Sequence, residues 1–145
     1  MEVRKATTEQ DRQHAFQVRN VVFVQEQQVA SEDEYDVYDE TASHFIAYDN
    51  HQQACGTARW RKTHKGIKLE RFAVLKSHRA QGVGAALLTA VLRDVQDAWG
   101  ERIPHPHIYL HAQTPAVPFY EKFGFQKEGK EFEECDIKHF LMRKD

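Results

Sequence analysis

The chain has 145 residues, 41% of them hydrophobic and 29% charged, with a net charge of -2. That length and balance fit a single globular domain, residues 1–145, and exclude a disordered chain. The charge gives no basic surface for nucleic acid, no apolar run approaches the roughly 20 residues of a membrane span, and no signal-peptide core opens the chain; a cytoplasmic protein with neither nucleic acid nor membrane as partner is expected.

Residues 2–6 (EVRKA) read as a first strand. Thr8 is an N-cap candidate, with Glu9 and Asp11 in the first turn of a helix that puts Ala15, Phe16, Val22 and Phe23 near one face and Arg19 beside it. From Gln25 to Thr41 the chain turns acidic, with Glu26, Glu32, Asp33, Glu34, Asp36, Asp39 and Glu40. Two readings stand: a solvated loop, or an acidic lip over a pocket that receives a cationic amine. Residues 44–49 and 54–61 read as two strands joined by a hairpin loop at Asp49–Gln53, and Gly56 marks a bulge or a crowded approach.

Residues 66–88 organise the rest. A strand from Ile67 to Leu75 runs into the polar loop 76–81, then Gly82-Val83-Gly84, then a helix whose apolar positions Leu87, Leu88, Val91, Leu92, Val95, Ala98 and Trp99 recur every three or four residues until Gly100. A glycine loop that opens a helix gathers backbone N–H groups at the positive end of the helix dipole, which suits a phosphate or pyrophosphate. Ala85-Ala86 replaces the Lys-Ser/Thr of a nucleotide triphosphate loop, and Leu87 replaces the third glycine of a dinucleotide fingerprint. A strand from Ile108 to Gln113 follows, then a short helix over 114–124 with Thr114 as cap and Gly124 as stop, then a closing pair of strands at 125–132 and 137–142.

What remains of the loop, Arg79-x-x-Gly82-x-Gly84, resembles the acetyl-CoA pyrophosphate loop of the GCN5-related N-acetyltransferase (GNAT) family. Tyr120-x-x-x-Gly124-Phe125 resembles a second segment of that family, at the expected separation, and the amino-terminal half is similar to a bacterial subgroup of largely unassigned substrate. The resemblance covers essentially the whole chain. It implies the GNAT fold: an α+β, three-layer architecture with a mixed central sheet of about seven strands, helices on both faces and a splay at the cofactor site. It also implies transfer of an acetyl group from acetyl-CoA, as co-substrate, to a small-molecule amine or an exposed amino group, without a metal. Homodimers are common in the family. A non-catalytic acyl-CoA-binding protein on the same fold stands as the alternative.

Carried over by position, the main chain of Phe72, Ala73 and Val74 would pair with the pantetheine arm, and the amides of Arg79, Ala80, Gln81, Gly82, Val83 and Gly84 would hold the pyrophosphate. Gln113 stands where many members have an Asn that contacts the cofactor; it keeps the amide and lengthens it. Tyr120 would act as general acid on the departing thiolate. For removal of the amine proton, Glu70 is the candidate base, with His111 and His44 as competitors; salt-bridging of Glu70 to Arg59, Arg61 or Arg71 is its other reading. Cys55 and Cys135 read as free buried thiols. Neither they nor the histidines of His105-Pro106-His107 have zinc-ligand spacing, so no metal is expected.

Overall fold

The computed structural model describes residues 1–144. Its strands are β1 (Glu2–Lys5), β2 (Ser43–Tyr48), β3 (Ala54–Thr63), β4 (Gly66–Val74), β5 (Ile108–Gln113), β6 (Gln126–Glu134) and β7 (Ile137–Lys144). The helices are α1 (Glu9–Arg19), α2 (Ser31–Glu34), α3 (Val83–Trp99) and α4 (Val117–Glu121). The strands form one seven-stranded sheet in the order β1-β2-β3-β4-β5-β7-β6. Every neighbouring pair is antiparallel except β4–β5. Among the described residues no helix is long and apolar enough to cross a membrane.

Period-two alternation assigns the two faces of the sheet. One face carries Ala58, Trp60, Leu69, Leu110 and Met142, and buries them against the apolar stripe of α3, Val83, Leu87, Leu88, Val91 and Val95. Close contact there depends on Gly56: a Cβ at that position would lie 2.8 Å from Val83 Cγ1 and 3.0 Å from Leu87. The pairing register also shifts beside it, so both readings of Gly56 hold. Gly100, at a φ of 67°, ends α3 as expected.

The other face is covered by α1 only over its first strands, where Ala15 meets Ile46 and Tyr48. Thr8 caps α1 by accepting from the Asp11 amide. The helix does not continue regularly to Phe23. After Arg19 it widens into a π-helix, Asn20–Glu26, whose Val22 and Phe23 pack with Val18, Val29 and Ala73. The β-branched run in Val21-Val22-Phe23-Val24 has weak α-helix preference, which eases the change of winding. The acidic stretch is not one loop: it forms α2 and a 3₁₀ turn, Val37–Glu40. Residues 114–124 form a 3₁₀ turn, Thr114–Ala116, followed by α4, and the Thr114 hydroxyl donates to Glu131 rather than capping a helix. Cys55 is buried as expected, whereas Cys135 is exposed, because it sits in the tight β6–β7 turn at a φ of 52°.

Candidate active site

The site begins where the sheet comes apart. β4 and β5 are in register from Ile67↔Ile108 to Leu69↔Leu110, and the pairing stops there. Beyond that point β4 has no partner on its β5 side among the described residues, and Glu70, Arg71 and Phe72 line a cavity of about 380 Å³. A bulge contributes to the divergence. Arg71 has a φ of 59°, and the β3–β4 register slips between Thr57 and Arg59. Left-handed backbone at a bulky residue costs about 1–3 kcal/mol and persists only where its surroundings hold it. Here the Arg71 guanidinium is tied to the Glu34 carboxylate at 2.9 Å, the Glu34 carbonyl and Asp36.

The expected site residues collect around this opening. Phe72 and Tyr120 line the cavity and meet edge to face, with ring centroids 6.1 Å apart. Ala73 pairs with Thr57 on β3 and Val74 with Gly56, so their main chain is held from the far side. The loop follows directly. Ala80 and Gly82 take left-handed φ values of 62° and 85°, and Gly82 precedes the first turn of α3. A Cβ at Gly82 would meet nothing within 4 Å, and one at Gly84 would lie 3.5 Å from Phe119. Glycine at these two positions is therefore not demanded by packing within the chain; it leaves open space beside the amide-rich end of a long helix. The unpaired strand edge runs directly into this open loop. Gln81 turns away, donating to the Ser77 carbonyl.

Arg79 is committed elsewhere. Its guanidinium forms a two-pronged pair with Glu26 at 2.7 Å on each arm and also donates to the Val74 carbonyl. Its hydrogen bonds hold the Glu26 carboxyl below its usual range. Gln113 exchanges amide hydrogen bonds with Gln27, at 2.9 and 3.3 Å, across the cleft. The last residue of the π-helix and the one that follows it thus each reach a side chain at the opening, and both partners were invisible in the sequence because they lie 53 and 86 positions from their mates.

Tyr120 combines two properties. Its ring is a core aromatic, packed edge to face with Phe119 and Phe125, yet it also lines the cavity. Burial pushes its phenol well above the ordinary value, so the hydroxyl keeps its proton.

Glu70 lines the same cavity inside a nest of cations. One carboxylate oxygen accepts from Arg61 Nε at 2.6 Å and from Arg59 at 3.0 and 3.2 Å; the other is 3.2 Å from Lys68 Nζ. Arg71, named as a partner in the alternative reading, is bound to Glu34 and Asp36 instead. Burial works to raise the Glu70 carboxyl, but the Arg61 hydrogen bond and the charges of Arg59 and Lys68 outweigh it and hold it at about 2. Such a carboxylate is a weak proton acceptor. The expectation of a base at Glu70 meets a physical objection, since ion pairing has lowered the property a base needs. His111 lies on the opposite wall, its Nδ1 3.0 Å from Glu134 and its ring against Phe132. His44 is buried away from the cavity under Phe16, its Nε2 2.8 Å from the Asp39 carbonyl.

The acidic lip is largely spent on internal pairing. Asp36 and Asp39 bind Arg59, Asp39 and Glu34 bind Arg19, and Glu26 binds Arg79. Arg59 and Arg19 are fully buried, so their charges require these partners. The sequence held one signal for this polar wall. Arg59, Arg61, Lys68 and Glu70 sit at every second position of two adjacent strands, a charged face on strands otherwise read as core.

Comparison with known proteins agrees with this geometry. The family described as "Acetyltransferase (GNAT) domain" matches residues 7–145. YjcF of Bacillus subtilis (strain 168), described as an uncharacterised N-acetyltransferase, is 40% identical over 141 residues, covering 97% of this chain and 96% of its own. The structure of Escherichia coli ElaA superposes with a TM-score of 0.86 at 27% identity over all of both chains. An aminoglycoside 6'-N-acetyltransferase solved with coenzyme A shares the fold alone, with a TM-score of 0.72 at 14% identity over 99% of this chain and 96% of that one. The chain belongs to the GNAT acetyltransferase family, and is an acyl-CoA-dependent N-acyltransferase with that family's seven-stranded fold.

Proposed function

We propose that the protein transfers the acetyl group of acetyl-CoA to a primary amine by direct attack in a ternary complex. The observation that carries the proposal is the interrupted β4–β5 pairing, which leaves an internal strand edge running toward the glycine loop at the start of α3. Acetyl-CoA supplies the thioester carbonyl. The edge of β4 at Phe72–Val74 binds the arm as an added strand would, and the loop Arg79–Gly84 takes the pyrophosphate. Tyr120, protonated through the physiological range, donates to the departing thiolate. His111, oriented by Glu134, receives the amine's proton. Glu70 is a positioning residue that holds Arg61 and Lys68 at the cavity wall. No covalent intermediate is required, and buried Cys55 takes no part.

Release of free CoA from acetyl-CoA, followed with a thiol reagent over a panel of primary amines, tests the proposal. Amine-dependent release supports it. Tight acetyl-CoA binding with no release for any amine would favour the non-catalytic acyl-CoA-binding alternative.

A further inference from the structure

The proton-transfer groups leave one part of the cavity wall unexplained. Arg61 on β3 stands opposite Lys68 on β4, and both line the cavity with side chains only 17% and 16% exposed. Two contacts clamp the Arg61 guanidinium. Its Nε donates to Glu70 at 2.6 Å, and its plane lies over the Tyr38 ring, 3.8 Å from the centroid. Its two terminal nitrogens have no hydrogen-bond partner among the described residues, and neither is sealed from the cavity or solvent. Lys68 Nζ touches the other oxygen of Glu70 at 3.2 Å and keeps further donors.

Charge counting points the same way. The network joins Arg19, Arg59, Arg61, Lys68 and Arg71 to Glu34, Asp36, Asp39 and Glu70, one more cation than carboxylates. The surplus falls on the Arg61–Lys68 pair, which shares Glu70 with Arg59. A flat, pre-oriented guanidinium with two free nitrogens is the fork that recognises a planar carboxylate, and one negative charge balances one surplus cation where a phosphate dianion would overshoot. Across the cavity Glu134 pairs with His111.

We infer that the acceptor is an amine that also carries a carboxylate, and that Arg61 with Lys68 binds that carboxylate while the amine faces the His111 side. The inference rests on the acetyltransferase reading for the role of the amine, but the carboxylate site is testable without turnover. Calorimetry on the full chain with free CoA in place of acetyl-CoA, so that no acetyl group can be transferred, would compare ω-amino carboxylates of two to six carbons with their primary amides. At least one acid should bind about tenfold tighter than its amide. Arg61→Gln should erase that preference while leaving acetyl-CoA affinity unchanged, and Lys68→Gln should reduce it, with circular dichroism checking that each variant is folded. The acid–amide comparison in the unmodified protein stands even if a variant fails to fold. Equal binding of every acid and amide, or no binding of any acid, overturns the inference. Amine-dependent CoA release without acid preference would sink the carboxylate site and keep the acetyltransferase proposal; acid-selective binding without release would do the reverse.

Discussion

At Tyr120 a single oxygen separates packing from chemistry. The ring belongs to the core with Phe119 and Phe125, so Tyr120→Phe keeps the volume and removes only the donor. Turnover should fall about 10²–10⁴-fold with acetyl-CoA affinity nearly unchanged, and single-turnover rates should fall equally. Full single-turnover activity in that variant would assign thiolate protonation to solvent. Glu70 makes the opposite prediction. Its carboxyl is depressed from 4.5 to about 2 in the fold, so its contribution to stability is complete above pH 4.5 and is lost as pH falls toward 2. A shift of that size corresponds to about 3 kcal/mol. Glu70→Gln should therefore lower the melting temperature at pH 7 and flatten its decline in acid, while any acidic limb of the pH–rate profile near neutrality persists. A limb that vanished in Glu70→Gln, and survived in His111→Gln, would return the base to Glu70. The sequence placed both residues on neighbouring strands and favoured Glu70 as the base, without showing how strongly its proton affinity would be lowered. That property depends on Arg59, Arg61 and Lys68 converging on one carboxylate, and nothing in the spacing of those residues specifies their rotamers.

Among the elements, α3 and its loop were the most legible, because a helical period and two glycines are local signals and the packing only had to agree with them. Gly56 was legible as an anomaly but not as a cause. Its role appears once Val83 and Leu87 are seen to press onto β3. Gly56→Ala should overpack that contact and cost about 1–3 kcal/mol, read as a lower midpoint in urea with an unchanged slope. An unchanged midpoint would mean that α3 can lift without loss. The π-helix was not legible. Its winding follows from where Val22 and Phe23 find partners and from Glu26 and Gln27 reaching Arg79 and Gln113, all contacts distant in sequence. The acidic stretch misled for the same reason: composition advertised negative charge, while burial of Arg19 and Arg59 had already consumed much of it.

For the whole molecule, the two parts of the sheet, β1–β4 and β5–β7, are stitched at their middle by the short parallel ladder from Ile67 to Leu69. Ligand that completes the ladder should stabilise the chain by mass action, by about 2.7 kcal/mol at a hundredfold excess over its dissociation constant. Hydrogen exchange in residues 70–74 and 79–84 should slow when acetyl-CoA is added, with little change in β1 and β2. Uniform slowing across the sheet, or none at 70–74, would contradict binding along that edge.

Most sheets expose raw edges only at their outer margins. This one carries a third, on the inside, where β4 offers its backbone to whatever extended chain comes near. If coenzyme binds along that edge as proposed, it is a guard as well as a reagent. Protein stripped of it and held warm at high concentration should scatter light sooner than the same protein with CoA present, because an unfilled groove shaped for one extended ligand is open to the strand of a neighbour.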